Sequence, residues 1–524
     1  MKKNKNTIIY SLLAVLALST FSCTKDFNGV NTDPIGERSV EARQLLAPAL
    51  VNVLYTNMVR NWNFNNQLMQ VTAEINDSEG RVFRYDVRRN LADYTWNNWY
   101  VNLTDLKDIY TIASKPESLN KSYQGISLIT QCWAYSLLTD TYGDVPYSEA
   151  NAGNTGNMQP KFDKQQDIYL DMFAKLEQAN QLLKESSDVV VPSSDPVYQG
   201  DITKWRRLGN SMYLRLLLRV SGKAEVATTV IAKIKEIAET NPQEYPIIEN
   251  NTQTAKILWN GTNSSTAVYS SPFMAGIRAN DFRLMPICDF FLGKLVTWQD
   301  PRVSPTLGTA GVPRWGIDRG PDGYVGIPSG YEPGSGVQIQ AHFNSDLDAG
   351  RISLQTDPYT GIIMNSAEVN FILAEAAARG WITSIPVENY YYKGMVEAIN
   401  YWMPSYITST TDARFISYVT DAELTWDPNL PLDNLNLGGK SKLEMILLQK
   451  YYAMFLVDLQ QWFEYRRTGH PILPKGPGLV NGGRMPARLN YPLVTQSTNP
   501  TSYKNAVASQ GADDINTLVW WQKP

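Results

Sequence analysis

Apolar residues recur every three or four positions through long stretches of this chain, and that periodicity limits the fold more than any other feature. Between 39 and 65 the stripe is Leu45, Leu46, Ala49, Leu50 and Val53. In 123–141, Ile126, Ile129, Trp133 and Leu137 follow at helical spacing, and in 162–184 Ile168, Met172, Leu176, Ala179 and Leu183 do the same. Similar patterns cover 96–112, 205–220, 226–238, 366–379, 386–403 and 443–465. A stripe of this period buries one face of a helix against a neighbour. Consecutive amphipathic helices of this length predict a mainly α chain built from tetratricopeptide-like helix pairs. Ser441 and Glu444 form a capping box that starts the last helix, predicted to run from Leu443 to Tyr465.

Two breaks interrupt the pattern. Gly143 and Pro146 stop the third helix within Tyr142-Gly-Asp-Val-Pro-Tyr, a turn that reads as scaffold. The larger break is 241–360, where no long periodic segment occurs and the stretch 308–336 carries nine glycines. An element-poor stretch of that length is usually functional or disordered, and its Trp315, Tyr324 and Tyr331 argue against plain disorder. The expected organisation is therefore a helical-pair scaffold over about 39–240 and 361–470, with a loop-rich, irregular insertion over about 241–360.

The N-terminus has its own logic. Lys2, Lys3 and Lys5 precede an apolar run from Ile8 to Leu18 that is too short to span a bilayer but suits a signal-peptide core. Ser22 and then Cys23 follow, the pattern of a bacterial lipoprotein signal. The expectation is a cleaved signal over 1–22 and a lipidated Cys23 that anchors a soluble body at a membrane surface. The other two cysteines, Cys132 and Cys288, could pair, but Cys132 lies on a helical stripe and reads as a small buried hydrophobe.

Chemistry-bearing motifs are scarce. A formal net charge of −4 and pI near 5.5 leave no electrostatic footprint for nucleic acid. The two histidines, His342 and His470, are far apart, and no metal-ligand spacing is present, so neither a metal nor another cofactor is expected. Gly439-Lys440-Ser441 imitates the end of a phosphate-binding loop, but Asn434 stands where that loop needs glycine. Carboxylate pairs such as Asp289 with Asp300 are what 51 acidic residues produce by chance. No catalytic residue is assigned. What is abundant is aromatic: 14 Trp, 29 Tyr and 15 Phe against two His, a balance suited to stacking on ligands.

Several stretches in order resemble the SusD/RagB family of outer-membrane lipoproteins from Bacteroidetes nutrient-uptake systems. They are Cys23-Thr-Lys-Asp-Phe with Asn31-Thr-Asp-Pro and Gln44-Leu-Leu-Ala-Pro-Ala-Leu, Trp96-Asn-Asn-Trp-Tyr, and Leu137-Leu-Thr-Asp-Thr-Tyr-Gly-Asp-Val-Pro-Tyr-Ser-Glu-Ala. Lys204-Trp-Arg-Arg-Leu-Gly-Asn, Asp300-Pro-Arg-Val, Tyr324-Val-Gly-Ile-Pro-Ser-Gly, Ala367-Glu-Val-Asn-Phe-Ile-Leu-Ala-Glu and Glu464-Tyr-Arg-Arg-Thr-Gly follow. The resemblance covers nearly all of the mature chain, making 23–524 one SusD-like domain. It implies four helix pairs plus a loop-rich part, and a non-enzymatic lid over a SusC-like TonB-dependent transporter in the outer membrane, facing the cell exterior. The lid would deliver oligosaccharides to the pore. Capture of peptides, or a mainly structural lid, are the alternatives.

Sugars present apolar C–H faces ringed by hydroxyls, so the candidate ligand-binding residues are loop aromatics with polar neighbours. One set lies in 79–99: Arg81, Phe83, Tyr85, Trp96 and Asn97. The other lies in or near the insertion: Trp259, Tyr269, Trp298, Trp315, Tyr324 and Tyr331. Trp315 leads, because Arg314, Gly316 and Asp318 surround it without an apolar stripe.

Overall fold

A computed structural model describes residues 40–75, 80–260, 269–303, 314–348 and 350–524. Cys23 and the signal segment expected over 1–22 lie outside the described residues, as does part of the glycine-rich stretch. Helices of nine residues or more are numbered here. The first six are α1 (Ala42–Arg60), α2 (Leu91–Ala113), α3 (Lys121–Tyr142), α4 (Gln165–Glu185), α5 (Ile202–Val220) and α6 (Ala224–Lys235). Each packs against the next in sequence. After α7 (Asp289–Thr297) come α8 (Ser366–Ala378), α9 (Val387–Trp402), α10 (Ala413–Asp421), α11 (Lys442–Ala453), α12 (Gln460–Thr468) and α13 (Pro500–Gln510). Helix α8 packs on α9, α11 and α5, which joins the later helices to the earlier ones. Strands are short antiparallel pairs: β1 (Val145–Pro146) with β2 (Phe162–Asp163), β3 (Ala255–Ile257) with β6 (Gly361–Met364), and β4 (Ile317–Asp318) with β5 (His342–Phe343). The chain is mainly α, as expected.

Polar side chains cap the starts of several of these helices, Ser441 as the sequence analysis expects. Asn120 accepts from the Tyr123 N–H at 2.9 Å, Asn365 from Glu368 N–H at 2.8 Å, and Ser441 from Glu444 N–H at 3.0 Å. At the other end of α3, Gly143 adopts φ 85°, and a Cβ there would meet the Gln510 side chain. That side chain instead accepts the Asp144 N–H at 2.6 Å, while Asp144 accepts the first N–H of α4, from Gln165, at 2.9 Å. The Tyr142–Tyr147 turn is a joint between two helices and the C-terminal segment.

Two helix expectations are corrected. Helix α2 begins at Leu91, not Trp96, so Trp96 and Asn97 sit inside the helix. The polar Arg88-Arg89-Asn90 run disguises this start; Arg89 reaches across to Asp513. The stripe from Leu443 to Tyr465 is not one helix: α11 ends at Ala453 and α12 starts at Gln460. Between them Leu456 and Asp458 take φ of 66° and 43°. The buried Asp458 is the cause. Its two carboxylate oxygens accept from Asn57 Nδ2 of α1 at 2.7 Å and Trp133 Nε1 of α3 at 2.8 Å, and its carbonyl from Asn61 Nδ2 at 2.7 Å. Asn57 in turn accepts from Trp99 Nε1 of α2 at 2.8 Å.

Buried ion pairs fasten the rest. Arg215 of α5 grips Glu368 of α8 through two bonds of 2.6 Å. Glu464 of α12 meets Lys450 at 2.8 Å, Arg467 at 2.8 Å and Arg219 at 3.3 Å, and Arg467 also holds Glu375 at 2.6 Å. Cys132 and Cys288 are both buried and unpaired. Burial pushes the Cys132 thiol up to about 12, in keeping with a packing role.

This network sets an acid limit. Burial alone would raise the Glu464 and Glu375 carboxyls, but the cations around them win, holding Glu464 well below the usual range and Glu375 at about 2. Their folded values lie below the unfolded ones, so their stabilisation is present above the ordinary carboxylate range of ~4.3 and is lost as pH falls toward the folded values. Denaturant midpoints at pH 7, 4 and 3 should fall for the native chain. In Glu464→Gln, stability at pH 7 should drop by about 3–5 kcal/mol, because Lys450 loses its buried salt-bridge partner while Arg467 and Arg219 each lose one of two, and the acid slope should flatten.

Candidate ligand-binding surface around Trp298

Trp298 caps the end of helix α7, its N–H still bonding the Lys294 carbonyl at 2.9 Å. Gln299 then takes φ 52°, which turns the chain so that Asp300 enters the core. There the carboxylate receives a two-pronged grip from Arg302, at 2.8 and 2.7 Å, and the Tyr418 hydroxyl at 2.7 Å. Burial would raise the Asp300 carboxyl; the Arg302 charge outweighs it and keeps it below the usual range. This Asp-Pro-Arg unit is a clamp that holds Trp298 at the surface. The partly exposed indole leans edge-on against Tyr452 at 5.8 Å between centroids.

Trp298 lines two hollows at once. The larger, about 630 Å³, is also walled by Phe290, Lys294, Glu423, Asp427 and Lys440. The smaller, about 410 Å³, is also walled by Tyr406, Arg414, Ser417, Tyr418 and Asp421. Arg414 is placed by its bond to the Tyr406 carbonyl at 2.6 Å, and Ser417 bonds Asp421 at 2.9 Å. The combination is partly exposed rings flanked by carboxylates, cations and hydroxyls. Such a surface can stack on a sugar's apolar face and hydrogen-bond its rim. No group of three or more His, Cys, Asp or Glu among the described residues could hold a metal ion.

The other predicted residues fall elsewhere. Trp315, the leading candidate, has no exposure. Its ring is enclosed by Phe291, Trp402 and Phe455, with the Arg302 guanidinium 5.1 Å from the ring, so no face is open for a ligand to stack on. The expectation of an exposed stacking ring is corrected: its polar neighbours in sequence are not its neighbours in space. Trp259, Phe83, Tyr85 and Tyr331 are likewise buried, and Trp96 lies among Tyr100, Tyr142, Phe162 and Tyr491. The two predicted regions do meet, but as packing. Phe83 and Tyr331 lie 5.1 Å apart with the Arg84 guanidinium 4.8 Å from each ring, Tyr331 donates to the Glu74 carbonyl, and Arg81 pairs with Glu74. Tyr324 is partly exposed beneath Arg319, Asn97 is exposed on α2, and Tyr269 lines a separate cavity. Phe290, Tyr406 and Tyr418 were missed by the sequence reading. Tyr406 sits in the turn-rich stretch 403–412, a usable signal; Tyr418 lies on α10 and carried none.

A family described as starch-binding and associating with the outer membrane, SusD-like, matches residues 35–492. No curated protein matches the sequence. Among solved structures, a chitin-binding protein is similar at 24% identity and TM-score 0.70, with 92% of this chain and 99% of that one covered. A SusD homologue from Bacteroides uniformis is similar at 23% identity and TM-score 0.71, over 92% of this chain and 99% of its own. A chitin-binding SusD homologue from Flavobacterium johnsoniae is similar at 21% identity and TM-score 0.69, over 92% and 98%. These likenesses establish the fold.

Burial separates two tryptophans that look alike in sequence. Trp315→Ala should cost about 3–5 kcal/mol of stability, read by denaturant unfolding, because it empties a large core site. Trp298→Ala should lower the melting temperature by only a few degrees, in keeping with a loss of ~1 kcal/mol or less from a partly exposed site. Equal losses would place both rings in the core.

Proposed function

The chain belongs to the SusD-like family, whose members are described as starch-binding and associating with the outer membrane, and from that premise we propose that it captures oligosaccharides at the outer-membrane surface. In this reading it hands them to a SusC-like TonB-dependent transporter and does not cleave them. The observation that carries the reading is Trp298: a partly exposed indole, packed edge-on against Tyr452 just before the buried Asp300–Arg302 pair, lining two polar-rimmed hollows at once. A ring with hollows on both sides can contact adjacent units of a glycan, whereas one closed pocket would suit a single small metabolite.

Membrane association then rests on Cys23. No helix among the described residues is long and apolar enough to cross a membrane. Lipidation of Cys23 would supply the anchor, with the body facing outward.

Titration of the purified chain with starch, chitin and plant-wall oligosaccharides, followed by tryptophan fluorescence, should show saturable binding to one class. Trp298→Ala should weaken it at least tenfold, equivalent to about 1.4 kcal/mol. Silence toward glycans with saturable binding of oligopeptides would move the reading to peptide capture. For the anchor, Cys23→Ala should abolish incorporation of labelled fatty acid and shift the protein out of the membrane fraction of expressing cells.

A further inference from the structure

A separate cavity of about 650 Å³ lies beside β3, between the single turns Pro192–Ser194 and Asn251–Gln253 and the start of α5. Its wall includes Lys256, Lys204, Thr254, Tyr269, Tyr198 and Asp195. On β3, Ala255 and Ile257 are buried in the core, and alternation turns the Lys256 side chain to the opposite face. Among the described residues no carboxylate or hydrogen-bond acceptor meets its ammonium, which lies only 6.0 Å over the Tyr359 ring. The charges that act on it are Arg314 and Lys204, both of its own sign, and burial together with these lowers its pKa. Lys204 has only a loose, solvated contact with Asp201 at 3.7 Å.

Asp195 does not answer these lysines. Its oxygens are taken by the N–H groups of Val197, Tyr198 and Gly200 and by Trp205 Nε1, at 2.7 to 3.1 Å. The Thr254 hydroxyl, in a residue only 2% exposed, has no hydrogen-bond partner. Tyr269 adds a partly exposed ring. A half-buried ammonium with no acceptor of its own, in a wall whose one carboxylate already has its oxygens engaged, is unfavourable unless a mobile anion completes the site. A cavity of this size exceeds what an inorganic ion needs and suits a sugar unit or two.

We infer that this cavity binds an acidic sugar, with Lys256 and Lys204 on the carboxylate, Thr254 on a hydroxyl and Tyr269 against the ring. The inference rests on the reading that the chain captures glycans, and names a second subsite with a charge requirement.

The test is calorimetric titration of the full chain with short oligogalacturonate, with its fully methyl-esterified form, and with neutral starch and chitin oligosaccharides. The acid should bind at least tenfold tighter than the ester, with an advantage that shrinks as salt rises. Lys256→Met should remove most of that advantage and Lys256→Arg retain it. Loss of an uncompensated charge should leave the melting temperature of Lys256→Met unchanged or raised, which separates lost binding from lost folding. Equal affinity for acid and ester, or an advantage that survives Lys256→Met, overturns the inference. Binding of neutral glycans through Trp298 with indifference to the acid overturns it alone. Silence toward every glycan overturns the glycan-capture reading as well.

Discussion

One buried carboxylate organises the helical body. Asp458 sits where α11 would have continued into α12, and its three acceptor atoms face donors from α1, α3 and the turn after α1. Through Asn57 the same cluster includes Trp99 of α2. A buried acceptor that loses its donors, or donors that lose their acceptor, each cost about 1–3 kcal/mol. Four elements are therefore committed to one arrangement, and the helix is broken to allow it. The left-handed backbone at Leu456 and Asp458 is the strain accepted in return. Burial raises the Asp458 carboxyl to about 6, so its contribution is full below the usual carboxylate range and declines as pH rises through about 6. That runs opposite to the Glu464 and Glu375 pairs, which weaken in acid.

The ion-pair network accounts for the charged residues of the family-like motifs as structural partners. Glu368 and Glu375 of Ala367–Trp381 point to Arg215 and Arg467, and Glu464 with Arg467 of the last motif close the same circuit. Asp300 and Arg302 satisfy each other in the interior just after Trp298 in sequence. In each case paired charges in the interior are stabilised by one another, which makes them costly to change singly.

Aromatic abundance divides the same way. Most rings, including Trp315, Trp259, Phe83 and Tyr331, fill the interior, and relatively few remain at the surface with polar company. A ring can stack on a ligand only where the scaffold leaves it uncovered. Trp298 is left so by a turn of one left-handed residue and one buried salt bridge.

Most long helices, their order and the Ser441 cap were legible from the chain itself, because periodicity and capping are local; the short α7 and α10, the C-terminal α13 and the Asn120 and Asn365 caps were not read from it. The scaffold role of the Tyr142–Tyr147 turn is an equally local reading. What the tertiary structure alone decided is long-range. The break at 454–459 follows from donors about 400 residues earlier in the chain, Asn57 and Asn61. The burial of Trp315 follows from Trp402 and Phe455, and the exposure of Trp298 from Tyr418 and Arg302. Local pattern states which side chains prefer water or a core. Which individual ring stays uncovered depends on shapes brought together from distant segments, and no spacing along the chain encodes that.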